Sequence, residues 1–342
     1  MSDRLHIGII GCGKISGIYL KNLTGEFADK VRVVALADLV PERAAARAEE
    51  FGVGRTCTNE ELLADDSIEL VVDLTTAPSH AEVNASILRC GKHLYSEKPL
   101  ALSMDVGRSL IALAEEKGLR VCVAPDTLLG PGFSAAKAAL DAGRIGTPAM
   151  AFTMCGLPAR GESYYTMYRG TLLDLGPYHV GALLRLLGPA VSVSGAAAAT
   201  PFHPPGSPAH DLDTPGTAAA VLQFAGGAMA TLVATGDVSG YLPDLRVWGS
   251  EGWLQCADPN MFGGAVTLRR NDAKEAVELP DTLGENLRGI GIADMADAIA
   301  AGRPHALGGD FALHTLEVML AVIDSQRSGR RVSLTTTFEH NA

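Results

Sequence analysis

Short apolar runs alternate with helical patterns along the first third of the chain. Five runs are expected to be strands: residues 5–10, 31–37, 68–74, 93–96 and 120–124. Between them, apolar spacing over 15–23, a proline-opened segment at 41–51 and a serine-capped segment at 103–117 predict helices. Alternation of this kind requires crossover connections. It therefore predicts an α/β domain with a doubly wound parallel sheet.

The pattern changes after about residue 125, where apolar runs follow one another across turn residues. Residues 217–224 and 228–235 flank Ala225-Gly226-Gly227 and predict a hairpin. The series continues in further runs at 245–249, 252–256 and 265–270. Helices are expected at about 177–187, 290–301 and 311–326, and a proline-rich surface loop at 201–215. We expect two domains, 1–124 and 125–342, the second an α+β domain with a mostly antiparallel open sheet that is closed by C-terminal helices.

Composition narrows the class of protein. The 342 residues are 47% hydrophobic and 20% charged, which fits two packed domains and excludes a disordered chain. The net charge of −11 without a basic run argues against nucleic-acid binding. Six scattered cysteines, with no leader and no long apolar run, favour a cytoplasmic protein without a membrane span. The candidate metal ligands His203, His210, Asp211 and Asp213 lie in a proline-rich segment without regular spacing, so no metal site is predicted.

A glycine-rich turn follows the first strand and opens the first helix. This is the context of a dinucleotide fingerprint, in which one glycine permits the tight turn and the next lets the backbone approach a pyrophosphate at the helix N-terminus. Ser16 occupies the position of the third glycine. We therefore expect cofactor contacts from the five residues of the turn: Gly11, Cys12, Gly13, Lys14 and Ile15.

Asp38 ends the second strand and bears on the choice of cofactor. A carboxylate at this place accepts hydrogen bonds from ribose hydroxyls and repels a 2′-phosphate, which favours NAD over NADP. Arg43 lies near enough in sequence to weaken this preference, so NADP stays possible. The alternative is that Asp38 only caps the helix that begins at Pro41.

Ser96-Glu97-Lys98-Pro99 follows the fourth strand, at the edge where open α/β sheets bind ligands. A lysine there can hydrogen-bond a substrate hydroxyl and stabilise its oxygen during oxidation. An exposed turn is the alternative. Asp126, just after the fifth strand, is a candidate for contact with nicotinamide or substrate, with a role in turn structure as its alternative.

These motifs together resemble one enzyme family. The resemblance rests on G-C-G-K-I-S-G at 11–17, A-D at 37–38, T-T-A-P-S-H at 75–80, S-E-K-P at 96–99, T-L-L-D-L-G-P-Y-H at 171–179 and D-P-N-M-F-G-G at 258–264. In this order they resemble the Gfo/Idh/MocA oxidoreductases. The resemblance implies a Rossmann domain, a C-terminal open sheet, and hydride transfer between NAD(P) and a sugar or cyclitol hydroxyl.

The resemblance also implies site residues. Its catalytic lysine falls on Lys98 and its aspartate on Asp174. The family histidine position holds Tyr178, and His179 comes one residue later, which on a helix turns the side chain by about 100°. We expect His179 to be the base because its pKa is near neutral, with Tyr178 as the alternative. A third possibility is a catalytically degenerate site.

The remaining cofactor contacts implied by the resemblance are Thr75, Thr76, His80, Glu97 and Lys98. Two other functions stay open. One is a non-catalytic dinucleotide-binding regulator, and the other is an NAD-dependent glycoside-cleaving enzyme. The uncharged strands at 218–224 and 228–233 would leave an apolar sheet face, so a homodimer or homotetramer is expected.

Overall fold

The computed structural model describes residues 4–158, 166–201, 214–273, 276–278 and 285–339. The chain forms two compact units, one of Met1–Asp126 with Leu287–Leu313, the other of Thr127–Asn286 with His314–Ala342. The chain first passes from one unit to the other after Asp126, two residues beyond the expected domain boundary at 124. The segment Leu287–Leu313 returns to the first unit, whereas the sequence placed it in the second domain.

The first unit is a doubly wound α/β domain, as predicted. Its five parallel strands run in the order β2-β1-β3-β4-β5. The strands are β1 (Leu5–Ile10), β2 (Val31–Ala37), β3 (Leu70–Asp73), β4 (His93–Ser96) and β5 (Val121–Val123). The helices between them are α1 (Ser16–Thr24), α2 (Pro41–Phe51), α3 (Asn59–Leu63), α4 (Ala77–Arg89) and α5 (Met104–Glu116).

Local sequence explains where these helices begin. Pro41 occupies the first turn of α2, where its missing N–H costs nothing. Thr58 and Glu61 form a reciprocal capping box at α3, and the Ser103 hydroxyl accepts a hydrogen bond from the Val106 N–H at α5. The central strands are buried on both faces, as parallel sheets between helix layers require.

The second unit contains a nine-stranded sheet. Its strand order is β13-β12-β11-β10-β6-β9-β8-β7-β14, and every pair is antiparallel except β6 with β9. The strands are β6 (Pro148–Gly156), β7 (Ala190–Ala198), β8 (Thr217–Phe224), β9 (Met229–Thr235), β10 (Leu242–Gly249), β11 (Gly252–Gln255), β12 (Thr267–Arg270), β13 (Val277–Glu278) and β14 (Val332–Ser333). The mostly antiparallel sheet and the 217–235 hairpin are therefore confirmed.

Among the residues that the structure describes, four helices with complete bounds follow a short 3-10 turn at Asp126–Leu129. They are α6 (Pro131–Asp141), α7 (Thr171–Leu187), α8 (Ile290–Ala301) and α9 (Gly309–Ser328). No helix of the described ranges has both the length and the apolar character that crossing a membrane requires.

Helix α7 begins six residues before its expected start near 177. Pro177 lies inside the helix, so the Leu173 carbonyl receives no N–H from it. The helix tolerates this because nearly all its side chains are buried, and packing rather than propensity holds it. It lies on strands β6, β8 and β9. Gly176 permits close approach to α9, since a Cβ there would lie 2.8 Å from the Met319 sulfur.

The two faces of the second sheet differ in exposure. Residues of β8 and β9 alternate between buried positions under α7 and outward positions. Met150, Val221 and Met229 point outward and are 38–48% exposed. The outer face is therefore rich in uncharged apolar side chains.

Asp237 joins the ends of the connection between β7 and β8. Its carboxylate accepts hydrogen bonds from the Thr200 hydroxyl at 2.5 Å and the Thr217 hydroxyl at 2.8 Å. The Gly216 N–H donates to the Ala198 carbonyl at 2.9 Å. Most of the proline-rich loop expected at 201–215 lies outside the described residues, but its two ends are fixed to each other by these bonds.

Candidate active site

The fingerprint turn leads from β1 into α1. Gly11 has φ of 99°, and a Cβ there would lie 2.7 Å from the Leu74 carbonyl carbon, so only glycine fits. At Gly13 an added Cβ would meet no atom of the described residues within 4 Å. The Ser16 hydroxyl, at the third glycine position, donates to the Gly13 carbonyl at 2.7 Å. The turn thus has one glycine required by the protein and another beside open space.

Asp38 lies at the carboxyl end of β2 and holds the fingerprint turn. Its Oδ2 accepts the Cys12 N–H at 2.7 Å, and its Oδ1 accepts the Val40 N–H at 2.8 Å. The second bond closes a short turn before α2 and does not cap the helix, whose N-cap residue is Val40 and which has no side-chain cap. The first bond places the carboxylate beside the turn, where the cofactor interpretation requires it.

Arg47 is a neighbour of this turn that sequence analysis missed. It lies on α2, one helical turn beyond Arg43, and its Nη2 donates to the Gly13 carbonyl at 3.4 Å. The guanidinium lies 3.2 Å from the place of a Cβ at Gly17. The sequence did contain a signal for Arg47. Arg47 follows Arg43 by four residues on α2, and residues four apart share a helix face. The side chain brings positive charge to the turn.

Thr75 follows β3, next to the glycine turn. Its N–H donates to the Asp73 Oδ1 at 2.8 Å. Thr75 Oγ1 and Asp73 Oδ2 are buried and have no hydrogen-bond partner among the residues that the structure describes. Burial raises the pKa of Asp73, while the charge of His80 opposes the shift. The Thr75 hydroxyl and the open space at Gly13 fit a polar ligand such as a dinucleotide.

Glu97 and Lys98 follow β4. The Glu97 carboxylate accepts the Tyr19 hydroxyl at 2.9 Å and the Lys98 N–H at 3.1 Å. Tyr19 and Tyr95 join their hydroxyls at 3.1 Å, and Lys98 itself is 7% exposed. Burial raises the pKa of both phenols well above the usual range, so both stay protonated donors. The segment is thus a tightly held turn rather than an exposed one.

His80 lies in the first turns of α4 and is 1% exposed. Its Nδ1 is 2.8 Å from the Pro99 carbonyl, and its Nε2 is 3.3 Å from the Thr75 carbonyl. The ring therefore stands between two backbone segments of the expected site. Direct contact of His80 with a cofactor stays a prediction. Both ring nitrogens already face carbonyl oxygens, so neither is left for such a contact.

Asp126 is 2% exposed, and its Oδ2 accepts the Gly289 N–H at 2.7 Å and the Gly291 N–H at 3.4 Å. Burial raises the pKa of Asp126 to about 6 although these bonds oppose the shift. The carboxylate caps α8 and draws that helix into the first unit. This supports the structural alternative for Asp126, and a cofactor contact stays a prediction.

In the second unit, Asp174 and Tyr178 lie one turn apart on α7, and each is 8% exposed. Residues four apart share a helix face, so the two side chains are neighbours on that face. His179 is 1% exposed and lies about 100° around the helix from Tyr178. Its Nδ1 is 2.7 Å from the Thr153 hydroxyl on β6.

The hydrogen bonds of Thr153 determine the protonation of His179. The Thr153 hydroxyl donates its one proton to the Asp244 carbonyl at 2.9 Å, so it accepts from His179 Nδ1–H. Burial lowers the pKa of His179 to about 3. A pKa this low makes the buried ring a weak proton acceptor. The role of His179 as the base stays a prediction, and Tyr178, which shares its helix face with Asp174, stays its alternative.

A further polar cluster of the second unit lies near Cys155 at the end of β6. The Tyr241 hydroxyl donates to Asp258 Oδ2 at 2.5 Å, and Asn260 Nδ2 donates to the Tyr241 oxygen at 3.3 Å. Burial, and then the charges of Asp174 and Asp258, raise the pKa of the Cys155 thiol. The motif at 258–264 thus contributes polar groups that bind Tyr241, a role that its sequence did not indicate.

All six cysteines are free thiols, and four of them are buried. Within the described part of the chain, no group of three His, Cys, Asp or Glu side chains is arranged to hold a metal ion.

Two domain families match separate parts of the chain. Residues 5–125 match the oxidoreductase family with an NAD-binding Rossmann fold, and residues 133–255 match the GFO/IDH/MocA C-terminal domain. Each match falls within one of the two structural units.

Individual relatives extend the likeness over the whole chain. The inositol 2-dehydrogenase of Rhizobium meliloti is 28% identical over 337 residues, covering 96% of this chain and 99% of that protein. For the enzyme of the same name from Ralstonia nicotianae, 30% identity extends over 165 residues, 47% of this chain, and this chain spans about half (49%) of that relative's length. The crystal structure of an NAD binding oxidoreductase from Klebsiella pneumoniae shares the fold, with a TM-score of 0.86, 22% identity and coverage of 98% and 100%. The chain therefore belongs to the Gfo/Idh/MocA oxidoreductase family, whose N-terminal domain is an NAD-binding Rossmann fold.

Proposed function

We propose that the protein is an NAD-dependent dehydrogenase that acts on a secondary hydroxyl of a sugar, a sugar derivative or a cyclitol. The observation that carries the proposal is the Glu97-Lys98 segment at the carboxyl edge of the first sheet, where Tyr19 and the Lys98 N–H fix the Glu97 carboxylate. The likeness to an inositol 2-dehydrogenase over 96% of the chain supports this class of substrate.

The fingerprint turn is the proposed cofactor site. Gly13, Lys14 and Ile15 at the start of α1 would hold a pyrophosphate through their backbone N–H groups. Gly11 and Cys12, whose N–H groups donate to the Ala37 carbonyl and to Asp38, would shape the turn around it. The carboxylate of Asp38 suits ribose hydroxyls and disfavours a 2′-phosphate, so NAD is preferred to NADP. Thr75 and Thr76 would complete the site from the adjacent turn, where the buried Thr75 hydroxyl has no partner among the described residues. When bound, NAD supplies the hydride acceptor.

Lys98 is the proposed electrophilic group. Its ammonium donates a hydrogen bond to the substrate oxygen and stabilises the negative charge that develops as the hydroxyl proton leaves. Glu97 holds the Lys98 backbone, and Tyr19 and Tyr95 hold Glu97. Lys98 therefore begins the reaction in a fixed backbone position.

Tyr178 is the proposed proton-transfer group, with Asp174 on the same helix face. A phenol has a pKa near 10, so transfer of the proton requires a cation that stabilises the phenolate. Asp174 orients Tyr178 or accepts a hydrogen bond from a neighbouring substrate hydroxyl. In this proposal His179 is a packing residue that is held in place by its hydrogen bond to Thr153.

The test is the formation of reduced nicotinamide, followed by its absorbance, with NAD⁺ and a panel of cyclitols, aldoses and sugar acids. At least one polyol is expected to be oxidised, and Lys98→Ala should lower turnover by about 10²-fold or more without changing the melting temperature. Lys117→Ala, at an exposed lysine of the same unit, is the matched control. Full turnover in Lys98→Ala would exclude the role of the lysine.

The two other functions would give different results in the same assay. A regulator would bind NADH without oxidising any member of the panel. A glycoside-cleaving enzyme would release the phenol from an aryl glycoside with no net change in nicotinamide absorbance. Either result would replace the dehydrogenase proposal.

We further propose that a homodimer or homotetramer forms through the outer face of the second sheet. The half-exposed Met150, Val221 and Met229 on neighbouring strands support this, because a broad apolar face is rarely left in water. Sedimentation of the wild type at micromolar concentration should give a dimer or a tetramer. Val221→Lys should lower its assembly state, whereas a wild-type monomer would exclude the interface.

A further inference from the structure

We infer that His80 is a positioning residue that fixes two turns of the active site through separate ring nitrogens: Nε2 holds the turn of Thr75, and Nδ1 holds the segment of Lys98. The inference deepens the proposed function and rests on it for the role of Lys98. It assigns His80 no contact with substrate or cofactor.

The geometry gives each nitrogen its own partner. Nδ1 lies 2.8 Å from the carbonyl of Pro99, the residue directly after Lys98. Nε2 lies 3.3 Å from the carbonyl of Thr75. With the ring 1% exposed, water does not compete for either contact. One side chain of α4 therefore joins the ends of β3 and β4 on the side where the cofactor is expected.

Each of these turns has a defined task. The Thr75 N lies 2.8 Å from the place of a Cβ at Gly11, so the backbone of this turn packs directly on the fingerprint glycine. A displacement there would alter the cofactor site. The Pro99 carbonyl is one peptide from Lys98, whose own N–H is held by Glu97. A displacement there would move the ammonium group relative to the substrate oxygen.

Each ring nitrogen faces an acceptor. Carbonyl oxygens only accept hydrogen bonds, so each nitrogen that carries a proton donates it to its own carbonyl. The neutral ring would keep the shorter bond, to Pro99.

The two contacts can be separated by two amides. The side-chain nitrogen of asparagine lies near the position of Nδ1, and that of glutamine near the position of Nε2. His80→Asn should therefore keep the bond to the Pro99 carbonyl and lose the one to Thr75. His80→Gln should keep the bond to Thr75 and lose the one to Pro99. Glu82→Gln, at an exposed position of the same helix, is the matched control.

The experiment measures the Kd for NADH by fluorescence and the turnover of the best polyol of the panel. We expect His80→Asn to raise the Kd for NADH about tenfold, with a threefold or smaller loss of kcat. His80→Gln should keep the Kd within about twofold of the wild type and lower kcat about 30-fold, because Lys98 is misplaced. Glu82→Gln should change neither quantity by more than about twofold.

A second readout of Lys98 needs no substrate. Reductive methylation with ¹³C-formaldehyde gives a dimethylamine resonance for Lys98, assigned by its absence in Lys98→Arg. His80→Gln should shift this resonance, and His80→Asn should leave it near its wild-type position. If no polyol is oxidised, the proposed function fails while this resonance and the Kd for NADH still test the inference. Parallel losses of NADH affinity and of the Lys98 signal in both variants, together with a lower melting temperature, would show a merely structural His80 and overturn it.

Discussion

Thr153 and His179 share a buried hydrogen bond of 2.7 Å that joins helix α7 to strand β6. The threonine hydroxyl donates its own hydrogen bond to the Asp244 carbonyl, so the histidine donates to the threonine oxygen from Nδ1. This bond fixes the tautomer of the ring, with the proton on Nδ1 and Nε2 as the acceptor. The burial of the ring, which lowers the pKa of His179 to about 3, makes that acceptor a weak base.

The pH dependence of stability should report the buried His179. The folded chain protonates it only near pH 3, whereas the unfolded chain does so near its ordinary pKa of 6.5. The folded state therefore binds fewer protons between these values, and the contribution of His179 to stability is lost as the pH falls. Asp126 acts in the opposite direction, because its pKa is raised from 3.8 to about 6 in the folded chain.

The measurement is the free energy of unfolding in urea at pH 7 and pH 5 for the wild type and His179→Asn, which keeps a donor for Thr153. The difference between the two proteins should shrink by about 2 kcal/mol from pH 7 to pH 5, at about 1.4 kcal/mol per pH unit below the ordinary pKa. Comparison of the two proteins removes the opposing contribution of Asp126. A difference that stays constant with pH would contradict a neutral buried histidine.

Tyr178 should matter for turnover more than His179 does. Tyr178→Phe removes the proton-transfer hydroxyl and should lower kcat by about 10²-fold or more at constant melting temperature. His179→Asn should lower the melting temperature and keep kcat within about fivefold, because it acts through packing. Steady-state kinetics with the polyol found by the panel checks both values. A folded His179→Asn protein without activity would restore the histidine as the base.

Substitution of the two fingerprint glycines by alanine should impair the protein in different ways, one through stability and the other through NADH affinity. Gly11→Ala places a Cβ 2.7 Å from backbone atoms at φ of 99°, so it should lower the free energy of unfolding by about 2–4 kcal/mol. Gly13→Ala meets no described protein atom, so it should fold normally and lose NADH affinity about tenfold or more. Urea unfolding and NADH fluorescence check the pair. Wild-type affinity in Gly13→Ala would place the pyrophosphate elsewhere.

Asp38 should determine the preference between the two nicotinamide cofactors. Asp38→Ser removes the charge that opposes a 2′-phosphate and weakens the bond from the Cys12 N–H. We expect the ratio of the Kd values for NADPH and NADH to fall about tenfold or more. Glu49→Ser, on the exposed side of α2, is the control. An unchanged ratio would assign the preference to another group, with Arg43 and Arg47 as the nearest cations.

The pattern of apolar and turn residues predicted the strands of the first sheet well, because the features that mark each strand lie within a short segment of sequence. Each strand is an apolar run bounded by turn residues, and the glycine turn lies where a strand meets a helix. The start of α7 was wrong for a physical reason: the rule that proline opens a helix assumes an exposed segment, and burial of nearly every α7 side chain outweighs the bond that Pro177 removes.

Long-range contacts could not be predicted in this way. The parallel pairing of β6 with β9 and the return of Leu287–Leu313 to the first unit join segments far apart in sequence. Nothing in the local sequence marks Tyr19 and Tyr95 as partners of Glu97, since each tyrosine occupies a buried position where an apolar side chain is expected. The orientation of His80 and His179 likewise depends on which carbonyl or hydroxyl the fold brings to each ring.

The contacts of Asp237 have a consequence for how a protein of this fold can diversify. Because one carboxylate holds Thr200 and Thr217, the register of β7 with β8 is set at the base of the connection rather than along it. The chain between these threonines can therefore change in length and composition without disturbing the sheet. Insertion, deletion and grafting between the two threonines are open to evolution and to design, while the hydrogen bonds of Asp237 keep β7 and β8 in register.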